Sequence, residues 1–160
     1  MNKIIYKTDT GIAVITPSAN GLKHFGIDNL ILKDVPRVRG GKIFNWNHKE
    51  MTFEEYIKFP LPEYKIVEEH EIGGLDRTFR NAWTYDMKID IPKAKEIWKE
   101  KLRLDRDPLF EANDLKIRDA NIEGDMSALS VAVAERDRLR DITLLVDNCK
   151  TISAIKKVTV

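Results

Sequence analysis

Apolar and polar positions change rhythm about halfway along the chain. In the first half the apolar residues come in short β-branched runs parted by turn residues. Ile4-Ile5-Tyr6 and Ile12-Ala13-Val14-Ile15-Thr16 are two such runs, with Thr8-Asp9-Thr10-Gly11 between them. That link has turn chemistry, since Gly takes positive φ without a steric penalty, so a hairpin is predicted. Pro17 ends its second strand. Gly21 to Gly26 and Asn29 to Leu32 read as a short helix or turn. Asp34-Val35-Pro36 reads as extended chain, because the residue before proline is kept out of the α region. Gly40-Gly41 opens a second unit, with a strand predicted over Lys42-Ile43-Phe44-Asn45-Trp46. Thr52 and Glu55 have capping-box spacing for one helical turn, stopped by Pro60 and Pro62. Tyr64-Lys65-Ile66-Val67 alternates as a strand does.

The second half takes the helical period. Asp90 before Pro92 fits a helix start, where the missing proline N–H costs nothing. Ala94, Ile97, Trp98 and Leu102 then share one face. Pro108 marks a kink or a new start, since it removes a ladder bond and crowds the preceding turn. Leu109, Ala112, Leu115 and Ala120 form a second apolar set. Gly124-Asp125 is a turn whose Asp can cap another helix, along which Leu129, Val133, Arg136 and Arg140 lie on one side, near Ala132, Leu139 and Ile142. The expected fold is α+β: a small N-terminal β-rich unit, residues 1–86, followed by a C-terminal helical hairpin, residues 87–142. One arm runs from about 91 to 122 with a kink or break near 107, the other from about 126 to 142. The tail, residues 143–160, is β-branched enough to return as a strand or to dock on another chain.

Charge sharpens this division. The 160 residues carry 27 basic and 26 acidic side chains, a net charge of +1. Residues 1–86 are neutral, 87–142 hold 25 charges in 56 positions, and 143–160 are slightly basic. Dense charge of both signs marks solvated amphipathic helices. Without surplus basic charge, neither nucleic acid nor an anionic membrane is an expected partner. No apolar run reaches the roughly 18 residues of a membrane span. Met1 to Lys7 has no signal core, so a reducing cytoplasm is the expected compartment.

Catalytic chemistry finds little support. Cys149 is the single cysteine, which excludes an internal disulfide and reads as an inert thiol. His24, His48 and His70 are far apart and none has a partner four residues away. Glu68-Glu69-His70-Glu71 reads as a solvated acidic turn rather than a metal cluster. Gly40-Gly41 and Gly73-Gly74 lack phosphate-loop spacing, and no serine sits in an elbow context. The expectation is therefore no enzyme, no cofactor and no metal.

Two stretches carry possible contact chemistry. Arg77 and Arg80, interleaved with Phe79 and Trp83, could form a stacking surface for nucleic acid. The structural alternative, preferred for want of basic charge, packs Phe79 against Trp83 and pairs the arginines with carboxylates such as Asp76 or Asp86. Arg136 to Asp141 alternates in sign, so it is either a salt-bridged helix surface or a docking face.

The phrase Asp76-Arg77-Thr78-Phe79-Arg80-Asn81-Ala82-Trp83 is followed by Ile91-Pro92-Lys93-Ala94-Lys95-Glu96-Ile97, then by Glu123-Gly124-Asp125 and Leu139-Arg140-Asp141-Ile142. With Lys33-Asp34-Val35-Pro36 and Tyr64-Lys65-Ile66-Val67 upstream, this set resembles small accessory proteins of tailed-phage genomes. The closing phrase is similar to the C-terminal helix of tail and tail-fibre assembly chaperones. The resemblance spans roughly residues 4–142, with residues 38–62 as an apparent insertion and 143–160 without a counterpart. It implies a non-enzymatic protein of virion morphogenesis that binds a tail or tail-fibre protein in the host cytoplasm, with self-association as a further option. Its alternatives are a stoichiometric structural subunit of the virion and an anti-host-defence binding protein. The residues expected to contact a partner are Phe79, Arg80, Trp83 and Trp98, with Arg138 and Arg140 second.

Overall fold

A computed structural model describes residues 2–8, 11–34, 37–39, 42–44, 50–52, 54–55, 58 and 61–160. The chain divides into two compact units, Met1–Ile89 and Asp90–Val160, a few residues beyond the seam expected at Asp86. The class is α+β, as the change of rhythm predicted.

The first unit contains β1 (Lys3–Thr8), β2 (Gly11–Ile15), α1 (Ala19–Asp34), β3 (Arg37–Arg39), β4 (Lys42–Phe44), β5 (Glu50–Met51) and β6 (Tyr64–Val67). Strand order in the main antiparallel sheet is β2-β1-β6, with Ile4 opposite both Ile15 and Ile66. β3, β4 and β5 make a second, smaller antiparallel sheet. The predicted turn residues Asp9 and Thr10 lie outside the described residues, as do Val35-Pro36, Gly40-Gly41, Asn45-Trp46 and Pro60. The capping box does form: Thr52 N–H donates to Glu55 Oε2 at 2.7 Å, and Glu55 N–H to Thr52 Oγ1 at 3.2 Å.

β1 is buried on both faces, which accounts for its unbroken Ile4-Ile5-Tyr6 run. Alternate residues of a strand point to opposite sides. Ile4 and Tyr6 meet Ile31 of α1, with Ile15, Ile27 and Leu30 packed around them. Ile5, fully buried, faces the other way beside Val14. Gly26 breaks α1 with a φ of 71°, a left-handed conformation that a Cβ would disfavour.

After β6 come a short helix α2 (Glu69–Gly73) and a 3-10 segment, Arg77–Ala82, which touches β2. A bridge between Trp83 and Ile89 closes the unit, around a turn in which Met87 takes a φ of 57°.

The second unit is helical throughout. α3 (Ile91–Glu123) and α4 (Met126–Asp147) form the predicted hairpin, and α5 (Ile152–Lys157) follows. Asp90 caps α3 by accepting from Lys93 N–H at 3.0 Å. Gly124 ends α3 with a φ of 71°, in the left-handed region where glycine is favoured. Asp125 then accepts from the N–H groups of Ser127 and Ala128, both at 2.9 Å, and starts α4.

Pro108 does not end α3, which runs through it as one helix. The carbonyl that loses its partner belongs to Leu104, four residues earlier, and Leu104 is exposed, so water can take that bond.

The tail corrects the sequence reading. Residues 143–147 continue α4, and α5 packs on α3 instead of forming a strand. Thr151 caps α5 through Ala154 N–H, and the Trp98 indole N–H donates to Val158 O at 2.9 Å. Local capping chemistry and one buried aromatic thus outweigh β-branched composition.

Burial along the hairpin is narrow. Ala94, Trp98, Leu102 and Ala120 of α3 are buried, as are Ala132, Leu139, Ile142 and Val146 of α4. Leu109, Leu115 and Val133, which the apolar spacing had placed with them, are exposed.

Polar side chains supply the remaining cross-helix bonds, and three of them stand seven residues apart on α3. Lys99 pairs with Asp147 at 2.6 Å. Arg106 Nη1 donates to the carbonyls of Leu139 and Arg140 at 3.1 and 2.9 Å. Asn113 Nδ2 donates to Ala132 O at 2.8 Å.

Phe79→Ala is expected to cost the first unit about 3–5 kcal/mol, the usual range for deleting a buried phenyl group. Arg106→Ala is expected to cost the second about 1.5–3 kcal/mol, for bonds made by a charged donor. Urea unfolding followed by circular dichroism checks both. A Phe79→Ala protein as stable as the parent would show that this ring is not core.

Candidate interaction surface

Of the residues expected to touch a partner, three are interior. Phe79 is 0% exposed, Trp83 4% and Trp98 6%, so each of these aromatics is buried and none is displayed. The local geometry explains the first two. Asp76 Oδ1 accepts from Thr78 N–H at 2.9 Å and starts the 3-10 turn, while its carbonyl takes Phe79 N–H at 3.1 Å and the Trp83 indole N–H at 3.0 Å. Asp76 therefore shapes the turn and holds the Trp83 indole, and both rings lie in the interior. The stacking surface for nucleic acid loses its aromatic component.

Arg80 is different, since it remains exposed. It borders a cleft of about 480 Å³ within the first unit, together with Arg77, Lys3, Glu69 and Val14. Lys3 is engaged there, bonded to Thr16 Oγ1 and paired with Glu69, both at 3.2 Å. The Lys3 hydrogen bond holds the Glu69 carboxyl below its ordinary value. Among the described residues neither Arg77 nor Arg80 forms an ion pair, so the expected bonds to Asp76 or Asp86 are not made.

Arg138 and Arg140 lie on the exposed side of α4 and are occupied by its own carboxylates. Arg138 grips Glu135 through two bonds, of 2.7 and 2.8 Å. Arg140 pairs with Asp137 and with Asp141, each at 2.8 Å. These hydrogen bonds pull the Glu135 and Asp141 carboxyls below their ordinary values. The sequence alternatives for this stretch resolve toward a salt-bridged surface. Of the six candidates, Phe79, Arg80 and Trp83 belong to the first unit and Trp98, Arg138 and Arg140 to the second.

The hairpin carries surface features that the candidates missed. On α3, Leu104 is 64% exposed, Leu115 50% and Ile122 76%. Eighteen residues make five helical turns, so Leu104 and Ile122 fall in line, with Leu115 close beside that line. Two grooves run between the helices. One, about 560 Å³, is largely charged and is crossed by an ion pair from Arg136 to Asp114 at 3.6 Å. The other, about 610 Å³, is floored by Asn113 and walled by Ala128, Val131 and Ala132. Asn113 was invisible to an apolar-period reading because it is polar. The available signal was its spacing of seven from Arg106 and fourteen from Lys99.

Among the described residues no group of three or more His, Cys, Asp or Glu could hold a metal ion, and no helix is long and apolar enough to cross a membrane. Cys149 is half-buried, its thiol directed at Leu145 O at 3.4 Å. Comparison with known protein families, curated proteins and solved structures returns no match.

Replacing Arg138 with Gln is expected to return the Glu135 carboxyl toward its ordinary value of 4.5. The sign follows from linkage. A depressed carboxylate adds stability that is fully present above 4.5 and is lost as pH falls through its folded value. Carboxyl NMR titration of both proteins checks this, with a higher Glu135 midpoint expected in Arg138→Gln.

Proposed function

We propose that the chain is a non-enzymatic adaptor of virion morphogenesis in a tailed phage, binding a tail or tail-fibre protein. The observation that carries this reading is the line of Leu104, Leu115 and Ile122, presented to solvent on a helix whose buried stripe is already satisfied. Large aliphatic side chains repeated at helical spacing suit a groove or helix of a partner protein. Dense charge of both signs around them keeps the free protein dispersed until that partner arrives. The phage context comes from the phrases running from Asp76 to Trp83 and from Leu139 to Ile142. Arg80 at the basic cleft of the first unit remains available for a second, polar contact.

The alternative of a stoichiometric virion subunit drew on a tail free to donate a strand. With α5 packed on α3, that motive is gone. A role as an anti-host-defence factor has no supporting feature in the fold.

Co-expression with the tail and fibre proteins of the same genome, followed by size-exclusion chromatography, is expected to yield a complex. Leu104→Glu with Leu115→Glu should abolish it while leaving the helical circular dichroism unchanged. Absence of a complex with every tail or fibre protein would overturn the reading, and so would stoichiometric recovery of the chain in purified virions.

A further inference from the structure

We propose that the basic cleft of the first unit is a recognition site for an acidic peptide, in which Arg77 and Arg80 each take a carboxylate of the bound segment. This deepens the polar contact of the adaptor reading and rests on that reading only for which protein carries the segment. The cleft, of about 480 Å³, falls within the size range of small-ligand sites. Its charged and polar side chains divide into two sets. Lys3, Thr16 and Glu69 are engaged with one another, the Lys3 ammonium bonding Thr16 Oγ1 and pairing with Glu69, both at 3.2 Å. Only 14% of the Lys3 side chain is exposed, so this group is part of the cleft wall. Arg77 and Arg80 are exposed and form no ion pair among the described residues.

That freedom sets them apart. Every arginine of the second unit bonds a carboxylate or a main-chain carbonyl. The two cleft arginines depart from this pattern although Asp76 precedes Arg77 directly. Asp76 Oδ1 instead accepts from Thr78 N–H and caps the 3-10 segment. Since Lys3 and Glu69 cancel, the two guanidinium groups leave the lining of the cleft with a charge of +2.

The chemistry of the lining selects the occupant. A guanidinium fork matches the two oxygens of a carboxylate in a planar, bidentate pair. Two such forks on separate side chains suit two carboxylates on separate side chains. Glu69, in the same lining, opposes a compact doubly charged group such as phosphate. Val14 and Ile72, both half-buried, offer apolar contact to the segment that joins the acidic residues. Nucleic acid is disfavoured, because Trp83 is buried and presents no ring face for stacking.

Fluorescence anisotropy tests this with the full chain and a short fluorescein-labelled peptide of alternating glutamate and valine. The peptide is expected to bind, and a version with glutamine for glutamate to bind about tenfold more weakly. Affinity should also fall about tenfold between roughly 50 and 500 mM NaCl, as screening requires. Arg77→Gln with Arg80→Gln, both at exposed positions, should keep the parent's circular dichroism and weaken binding about tenfold. Arg138→Gln, whose arginine is already held by Glu135, should leave it unchanged. Equal affinity for the glutamate and glutamine peptides would overturn the proposal, as would no binding at 1 mM peptide or binding that the double variant leaves intact. Tighter binding of a phosphoserine-for-glutamate peptide would overturn it too, by making the site one for phosphate. No tail or fibre protein enters these measurements, so their failure leaves the hairpin's complex standing, and loss of that complex leaves the cleft standing.

Discussion

The architecture of the second unit depends on the register of α3 against α4, and polar side chains fix that register. Lys99, Arg106 and Asn113 recur every seven residues and reach Asp147, the carbonyls of Leu139 and Arg140, and the carbonyl of Ala132. Two of the three bond to main chain, so they hold α4 by its backbone, not by its side chains. Apolar packing alone would specify register less well here, because the seam includes alanines at 94, 120 and 132. Small residues permit sliding, whereas directional bonds to particular carbonyls do not. The turn at Gly124-Asp125 closes one end of the ladder and Lys99 with Asp147 closes the other.

A two-helix layer imposes a second constraint. α3 and α4 bury the stripes they turn to each other and α5 packs on α3, while much of the 33-residue α3 is exposed. The chain meets that demand with charge pairs along each helix, such as Lys101 with Asp105 and Arg103 with Glu100. Each exposed pair contributes little stability. Together they make a charged surface in which exposed apolar residues are set, Leu104, Leu115, Ile122 and Val131 among them. Pro108 is tolerated mid-helix beside the exposed Leu104, where water can take the bond its carbonyl loses.

The first unit is organised around its central strand. β1 is buried on both faces: α1 covers one, and Ile5 on the other lies beside Val14, whose strand touches the 3-10 segment. Phe79 and Trp83 belong to that covering role. Their spacing of four residues, beside two arginines, was equally compatible with a displayed aromatic surface. Burial decides the matter: Phe79 and Trp83 lie inside, the Trp83 indole bonded to Asp76 O, while Arg77 and Arg80 stay outside.

Much of this architecture is determined by the sequence itself. The β1–β2 hairpin, the capping box at Thr52 and Glu55, the helix start at Asp90, the turn at Gly124-Asp125 and the α+β class all follow from local chemistry. Such features depend on a few neighbouring residues, so a linear reading contains what they need. Tertiary structure alone decided three other points. It assigned Phe79, Trp83 and Trp98 to the interior, where bonds to Asp76 and Val158 hold the two indoles. It turned the β-branched tail into a continuation of α4 and a capped α5, because Trp98 offers that segment a packing partner. It also exposed Leu115 and Val133 while burying Asn113. The reason is common to all three. Periodicity says which residues share a face, but only the opposing element determines which face is covered.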